Sequence, residues 1–259
     1  MEDSKNIRHV LGISGGKDSA ALAIYLKDKG IAPDIEYFFC DTGKELPEVY
    51  DFLHKLEAYL DKEIKILSPT RDFDHYLVTH MNYLPSARQR WCTLSMKIKP
   101  FEAYVGEDNV VSYIGIRADE HREGYISTKP NIKPVFPFKE DGIVREDVFR
   151  ILEESVGIPE YYKWRSRSGC FFCFFQRKSE WLGLKENHPD LFEQAKKYEK
   201  PEEGYTWVHG ATLDEVVERA QTEEYQSFTN KKEAKNWKEI LIESEDDDPE
   251  EQACMICSL

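Results

Sequence analysis

The sequence predicts an α/β protein, with a doubly wound, mostly parallel sheet followed by a smaller α-helical C-terminal region. Strand-like and helix-like patterns alternate between residues 7 and 116, and a glycine-rich loop joins the first strand to the first helix. Strand signals become scarce from Tyr161 onward. Because alternating strands and helices form parallel sheets covered on both faces, we expect this architecture for the first part of the chain.

Hydrophobic periodicity predicts the individual elements in order. The predicted strands are 7–14, 35–40, 64–67 and 109–116, and the first two helices are 17–29 and 46–60. Three prolines between residues 128 and 138 predict an extended loop there. Further helices are expected at 145–156, around 177–198 and at 212–222.

The composition is that of a globular protein. Of the 259 residues, 41% are hydrophobic and 32% are charged, which disfavours a fibrous or disordered chain. The sequence contains no run of about 18 apolar residues that could span a membrane. The first residues are charged and lack the apolar core of a signal peptide. We therefore expect a cytoplasmic protein without a membrane partner.

The charge is distributed unevenly. The formal net charge of −14 disfavours nucleic-acid binding, but seven acidic residues lie within 243–251, which we expect to be a flexible tail. Segments 84–100 and 163–178 carry four and five basic residues and no acid. Aromatic residues 161, 162 and 164 adjoin the second segment, and such a mixture can stack and pair with single-stranded nucleic acid. A nucleic-acid partner therefore remains an expectation.

The loop between the first strand and the first helix predicts a phosphate-binding site. It reads Ser14-Gly15-Gly16-Lys17-Asp18-Ser19. Its glycines permit close approach of the backbone, and a helix N-terminus attracts anions. Lys17 adds positive charge, and Asp18 is suited to hold Mg²⁺ against phosphate oxygens. The spacing does not match a Walker loop, which needs four residues between its glycines and Ser or Thr after the lysine.

The loop resembles the PP-loop of the ATP pyrophosphatases, the adenine-nucleotide α-hydrolase superfamily, whose members split ATP between the α and β phosphates. Segments 38–48 (FFCDTGKELPE) and 115–122 (GIRADEHR) resemble motifs of the phosphoadenosine-phosphosulfate reductase branch. The resemblance covers about residues 7–181, and the pattern is most similar to the ATP pyrophosphatases of DNA phosphorothioation and phage defence. It implies a Rossmann-like fold with ATP and Mg²⁺ as ligands.

The resemblance also implies roles for individual residues. Catalytic roles fall on Lys17, Asp18 and Arg117. The nucleotide would be bound by Ser14, Gly15, Gly16, Lys17, Asp18, Ser19, Asp41, Thr42, Gly43, Gly115 and Arg117. The chain then divides into a nucleotide-binding core at 1–155, a helical region at 156–242 and the acidic tail at 243–259.

Six cysteines in a cytosolic chain favour metal binding or redox chemistry over disulfides. Cys92, Cys170 and Cys173 resemble the long-range pattern that holds a [4Fe–4S] cluster in this branch, with zinc as the alternative. A fourth ligand would be Cys40, one of Cys254 and Cys257, or no protein residue. Cys40 lies in an apolar run and is also expected to be a core residue.

Together these features predict an enzyme that adenylates a substrate, expected to be a nucleic acid, for sulfur incorporation. A cysteine desulfurase or another sulfur donor would supply the sulfur. One alternative is a sulfonucleotide reductase, but members of that group usually have a degenerate loop and an attacking cysteine in their tail. Another is a non-catalytic nucleotide-binding partner subunit. The intact SGGKDS loop favours the ATP-dependent enzyme.

Overall fold

A computed structural model of the chain describes residues 7–121, 129–166 and 169–222. These residues form two compact units. The first contains residues 7–70 and the described part of 93–159, and the second contains 71–92 and the described part of 160–222. The predicted tail at 243–259 lies outside the described residues.

The first unit contains a parallel sheet. Its strands are β1 (Arg8–Gly12), β2 (Glu36–Cys40), β3 (Ile64–Leu67), β4 (Val110–Tyr113) and β5 (Ile132–Val135). They lie in the order β3-β2-β1-β4-β5, and every neighbouring pair is parallel. The predicted α/β class is therefore confirmed.

Helices connect and cover these strands. The helices of the first unit are α1 (Lys17–Asp28), α2 (Pro47–Leu60), α5 (Lys99–Val105), α6 (Pro137–Glu140) and α7 (Arg145–Glu153). A short helix α4 (Trp91–Thr93) and a π-helical turn (Leu94–Ile98) lead into α5. The helices of the second unit are α3 (Phe73–Thr79), α8 (Lys178–Asn187), α9 (Pro189–Lys196) and α10 (Leu213–Ala220), with single 3₁₀ turns at Glu160–Lys163 and Pro201–Glu203.

Both faces of β1 and β2 are largely buried, which explains why these strands are apolar at consecutive positions rather than at alternate ones. Right-handed crossovers place α1 and α2 on one face and α5 on the other. On the α5 side, Phe101 stacks on Phe38 of β2 with ring centroids 4.9 Å apart, and both side chains are fully buried. Cys40 and Val10 belong to the same core cluster.

The predicted loop at 128–138 is wrong, because residues 132–135 form the edge strand β5. The carbonyls of Asn131 and Val135 accept hydrogen bonds from Val110 and Ile114. By the alternation of a strand, Pro134 then directs its backbone nitrogen away from β4. An edge strand tolerates proline in that position because no ladder hydrogen bond is lost.

The observed helix boundaries also differ from those predicted by the hydrophobic periodicity. The predicted helix at 177–198 is two helices, since Pro189 begins α9 directly after α8 ends at Asn187. Proline lacks an N–H group and is favoured in the first turn of a new helix. Helices α3 and α5 lie in a stretch where the sequence patterns predicted no element. The π-helical turn before α5 interrupts the hydrophobic periodicity that would indicate an α-helix.

The second unit has an aromatic core. Phe172 stacks on Trp207 with centroids 4.9 Å apart, and its ring also lies 4.5 Å from that of Phe73. Trp181 of α8 is 1% exposed and lies 6.1 Å from Trp207. Among the aromatic residues around the Cys-x-x-Cys pair, Phe171, Phe172, Phe175 and Trp181 are therefore core residues, while Phe174 is partly exposed.

The division of the chain at residue 155 stays a prediction. The two compact units were not predicted, because each is built from separate stretches of the sequence. The chain leaves the first unit for residues 71–92, returns to it, and changes unit again after Pro159. Among the described residues, no helix is both long and apolar enough to cross a membrane.

Helix α1 provides a test of the core of the first unit. Leu22 is fully buried, whereas Leu94 in the π-helical turn is 50% exposed. We expect Leu22→Ala to lower the free energy of unfolding by about 2–5 kcal/mol, because the core cannot fully refill the cavity. The matched control Leu94→Ala should cost less than about 1 kcal/mol. Urea denaturation followed by circular dichroism measures both, and equal losses would contradict the assigned core.

Candidate functional site

The predicted phosphate-binding residues lie on loops at the carboxyl edge of the sheet. One loop follows β1, a second follows β2, and a third follows β4. The sheet continues from β1 toward β2 on one side and toward β4 on the other, so the strand order reverses at β1 and β4. Ligands of open α/β sheets bind in the crevice at this reversal point.

The loop after β1 is braced from within. The hydroxyl of Ser19 accepts a hydrogen bond from the backbone N–H of Ser14, and the two hydroxyls are 3.0 Å apart. Ser14 Oγ also accepts from the N–H of Gly16 at 3.3 Å. Gly16 is the N-cap residue of α1, so the loop leads directly into a helix N-terminus, where partial positive charge favours anions. Ser14 and Ser19 thus hold the shape of the loop in this structure.

Two glycines allow the loops to approach one another. Gly15 has φ +75°, and a Cβ atom there would lie 2.6 Å from Val49 Cγ1 of α2. A Cβ atom on Gly115 would lie 2.9 Å from the backbone oxygen of Asp18. The loop after β4 therefore packs directly on the first turn of α1, which brings Arg117 to Asp18.

Lys17, Asp18 and Arg117 form one charged network. Arg117 is 3% exposed and donates from Nη1 to Asp18 Oδ1 at 2.8 Å. Lys17 is 4% exposed, and its Nζ lies 3.4 Å from Asp18 Oδ2. Arg117 also contacts Asp119 through Nε at 3.0 Å and Glu120 through Nη1 at 2.8 Å. The structure thus brings together all three residues that were predicted to be catalytic.

The turn after β2 contributes the other predicted residues. Asp41 accepts hydrogen bonds from the N–H of Gly43 at 2.7 Å and from the hydroxyl of Tyr50 at 2.8 Å. Thr42 donates to Glu45 at 2.8 Å, and both side chains are buried. This turn lies at the same edge of the sheet as the loop after β1, because Ile13 donates to the carbonyl of Phe38 in β2.

The residues at this edge of the sheet are chemically suited to bind a polyphosphate. Lys17, Arg117 and the N-terminus of α1 supply donors for phosphate oxygens in a low-dielectric environment, where electrostatic interactions are strong. Mg²⁺ fits the donor set, because it is commonly bound by one or two carboxylates together with substrate phosphates. Asp18 would be its protein ligand.

The predicted cluster ligands Cys92, Cys170 and Cys173 all lie in the second unit, and each is partly exposed. The N–H of Cys173 donates to the carbonyl of Cys170 at 3.2 Å, so the pair occupies a tight turn. Among the three described segments, however, no group of three or more His, Cys, Asp or Glu residues is arranged to hold a metal ion. The iron–sulfur cluster, like its zinc alternative, therefore stays a prediction, and we derive no step through it.

Buried polar residues outside the predicted ligand set hold this turn. Arg165 is 1% exposed and donates from Nη2 to the carbonyl of Cys170 at 2.6 Å. Gln176 donates to the carbonyl of Phe171 at 2.7 Å. Glu180, at the start of α8, accepts from the N–H of Ser166 at 2.7 Å. The sequence did contain a signal for the role of Glu180. This residue lies three positions after the N-cap Arg177, which is the spacing of a capping box at a helix N-terminus.

The prediction of a basic and aromatic surface at residues 161–178 is wrong for several of its side chains, because they are buried. Tyr161 and Tyr162 are 0% and 4% exposed and stack on each other, so they are not available to nucleic-acid bases. Arg165 is also buried, as described above. Lys163 is exposed and pairs with Glu160. Arg167 lies outside the described residues.

Among the candidates for a fourth ligand, Cys40 is a core residue. It is 3% exposed, and its thiol donates to the carbonyl of Lys97 at 3.5 Å. Burial raises the pKa of the Cys40 thiol to about 12, which disfavours the thiolate that a metal needs. Cys254 and Cys257 lie outside the described residues.

Comparison with known families agrees with the geometry. Residues 8–136 match the family model described as the phosphoadenosine phosphosulfate reductase domain. This match confirms the resemblance that was predicted from the motifs.

Individual proteins are also similar to this chain. An uncharacterized protein of Methanocaldococcus jannaschii is 28% identical over 74% of this chain and 47% of its own length. The tRNA-specific 2-thiouridylase MnmA of Hydrogenovibrio crunogenus is 27% identical over 48% of this chain and 37% of its own length. The chain thus spans about half or less of the length of these relatives. The U34-tRNA thiolase NcsA from Methanococcus maripaludis, solved with its [4Fe–4S] cluster, is 18% identical, with a TM-score of 0.43 over 83% of this chain and 81% of that one.

The cysteine environments predict different reactivities. With iodoacetamide at pH 8 in the presence of a chelator, we expect Cys40 to stay unmodified while Cys170 and Cys173 react. The reason is that the Cys40 thiol is buried and its pKa is raised to about 12. Peptide mass spectrometry measures the modification at each position.

Denaturant provides the control for this experiment, because all the cysteines should react once the chain is unfolded. Labelling of Cys40 at the rate of Cys170 in the native protein would contradict its placement in the core.

Proposed function

Because residues 8–136 belong to the phosphoadenosine phosphosulfate reductase domain family, we propose that this chain is a PP-loop ATP pyrophosphatase. It uses ATP to adenylate an oxygen atom of a nucleic-acid substrate, which prepares that position for replacement by sulfur. The family supports an enzyme that uses a nucleotide. The substrate and the sulfur chemistry are our proposal.

The observation that carries the proposal is the convergence of two buried cations on Asp18. Lys17 directly precedes Asp18, whereas Arg117 lies 99 positions after Asp18, yet both cations contact the Asp18 carboxylate at the sheet's reversal point. Burying two cations is costly unless they are paired, and both contact the carboxylate of Asp18. Donors already oriented toward developing phosphate charge stabilise a departing pyrophosphate.

In the proposed reaction the substrate oxygen attacks the α-phosphorus of ATP, and its proton passes to solvent. The bond between the α-phosphorus and the bridging oxygen breaks, and pyrophosphate leaves. Lys17 and the N-terminus of α1 stabilise the charge on the leaving group. Bound Mg²⁺ would neutralise phosphate charge, with Asp18 as its protein ligand.

Sulfur then replaces the activated oxygen. A donor such as a cysteine desulfurase transfers persulfide sulfur to one thiol of the Cys170–Cys173 pair. The outer sulfur of that persulfide attacks the adenylated atom, and AMP leaves with the oxygen. The other thiol of the pair then attacks the inner sulfur, which releases the thiolated product and forms a disulfide that an external thiol reduces. The Cys170–Cys173 turn is our candidate for carrying this sulfur, because it is partly exposed and its backbone is held by Arg165. The likeness to a tRNA thiouridylase supports RNA as one form of the substrate.

The description of the matching family favours a second candidate, reduction of a sulfonucleotide. Such a reaction would release sulfite from phosphoadenosine phosphosulfate with a thiol reductant. The intact Ser14–Ser19 loop favours ATP, since Lys17 would contact the β or γ phosphate in the proposed reaction. Sulfite release without cleavage of ATP would replace the first proposal by the second.

Lys17 provides the sharpest mutational test. We expect Lys17→Ala to reduce the rate of pyrophosphate release from ATP by about 10²–10³-fold, because it removes a buried donor to the leaving group. The matched control is Lys29→Ala, since Lys29 is exposed at the other end of α1 and should leave the rate unchanged. A coupled pyrophosphate assay with Mg²⁺ measures both rates.

Wild-type rates in the Lys17 variant would contradict the proposed role of the loop. Release of ADP and phosphate instead of AMP and pyrophosphate would contradict the proposed reaction itself.

A further inference from the structure

The segment 78–83 of the second unit carries a cluster of exposed apolar side chains. Val78 is 67% exposed, Met81 is 76% exposed and Tyr83 is 46% exposed. Three of the seven exposed large apolar side chains in the described part of the chain thus fall within six positions. Exposed apolar side chains that cluster in this way mark a surface for interaction with another molecule.

The backbone of Tyr83 is fixed although its side chain is exposed. Its N–H donates to the carbonyl of His80 at 3.0 Å, and its carbonyl accepts from the indole N–H of Trp91 at 3.0 Å. The ring centroid of Tyr83 lies 4.8 Å from that of Tyr205, which is partly exposed as well. Two aromatic rings therefore stand at the surface on a fixed backbone. Bases of a nucleic acid stack on such rings, and a rigid partner lowers the entropic cost of binding.

Two arginines lie in the neighbouring segment 84–100, which contains no acid. Arg88 is exposed. Arg90 donates from Nε to the carbonyl of Ala87 at 3.1 Å, and its guanidinium lies 5.3 Å from the ring centroid of Phe175. Within the described ranges, neither arginine forms an ion pair with a carboxylate. Both guanidinium groups can therefore bind phosphate oxygens without first leaving an acidic partner.

One acid lies near the tyrosine pair. Glu203 is close enough to Tyr205 to influence it electrostatically. Its carboxylate also lies 3.7 Å from Nζ of Lys200, which offsets its charge. This acid therefore does not exclude an anionic ligand from the surface.

These residues adjoin the cysteines of the same unit. The ring of Phe175, over which the guanidinium of Arg90 lies, has its centroid 4.2 Å from that of Phe174. Phe174 is partly exposed and directly follows Cys173. A ligand that binds Arg90 would therefore lie beside the turn that is our candidate for carrying sulfur.

We propose that the aromatic–arginine surface, formed by Tyr83, Arg88, Arg90 and Tyr205, binds single-stranded nucleic acid. Unpaired bases stack on the two tyrosines, and the two arginines bind adjoining phosphates. The inference rests on the proposed function, because it assigns the place where the nucleic-acid substrate of that reaction is held. Single strands fit better than duplexes, since the bases of a duplex are already stacked on one another.

Binding of a labelled oligonucleotide tests this surface without any turnover. Fluorescence anisotropy measures the affinity of the full-length protein for single-stranded RNA and for single-stranded DNA of the same sequence, and the tighter of the two identifies the preferred sugar. We expect Tyr83→Ala to weaken binding by about fivefold or more, because a stacking contact with a base is lost. The matched control is Tyr59→Ala, a partly exposed tyrosine of α2 in the first unit, which should keep the wild-type affinity.

Salt dependence separates the role of the arginines from that of the tyrosines. For Arg88→Gln, the slope of log affinity against log salt concentration should fall in magnitude by about 0.7, because one phosphate contact is lost. Tyr83→Ala should leave this slope unchanged. Arg150→Gln, at an exposed position of α7 in the first unit, is the matched control and should keep the wild-type slope. Thermal unfolding followed by circular dichroism confirms that each variant is folded.

A lack of binding to both oligonucleotides by the wild-type protein would overturn the inference. Unchanged affinity in folded Tyr83→Ala would do the same, as would an unchanged salt slope in Arg88→Gln. Polyglutamate that binds as tightly as the oligonucleotides would also contradict it, since this polyanion has no bases and would indicate a surface for acidic protein segments.

The test is separate from that of the proposed function, because no ATP is present. If ATP yields ADP, the proposed reaction fails, yet oligonucleotide binding still decides whether the aromatic–arginine surface binds single strands. Pyrophosphate release by a protein that binds neither oligonucleotide would retain the ATP chemistry and remove this surface.

Discussion

The burial of Arg117 is the constraint on which the rest of the site depends. A guanidinium that is 3% exposed must be compensated, and the compensation comes from Asp18 on α1 and from acids of its own loop. This contact requires the loop after β4 to lie against the first turn of α1. Only a residue without a side chain at position 115 permits that approach. The charged network, the glycine and the strand order are therefore parts of one arrangement.

The fold was predictable where burial on both faces gives a plain sequence signal. Strands β1 and β2 and helix α2 follow from apolar runs and from helical spacing. The sequence could not reveal β5, because Pro134 reads as a loop residue unless the strand is known to lie at an edge. Nor could it reveal that residues 71–92 join the second unit, since that depends on contacts with residues more than 80 positions away, such as Phe73 with Phe172.

The sequence motifs identified the main residues of the candidate site, but they could not predict the contacts between those residues. Lys17, Asp18 and Arg117 were identified by residue type and by resemblance, and the structure brings them together. The contact of Asp119 with Arg117 had no sequence signal beyond proximity. Tyr161 and Arg165 show the opposite failure, because a basic and aromatic segment reads as a surface although these side chains are buried. Burial arises from long-range packing, which local composition does not encode.

The central claim is that nucleotide phosphates bind between the N-terminus of α1 and Arg117. The most direct measurement is a crystal structure with Mg²⁺ and an ATP analogue in which a methylene group joins the α and β phosphates. We expect phosphate oxygens within hydrogen-bonding distance of the backbone N–H groups of residues 15–17, of Lys17 and of Arg117, with the metal on Asp18. Phosphates bound away from these residues, with Arg117 still held by Asp119 and Glu120, would contradict it.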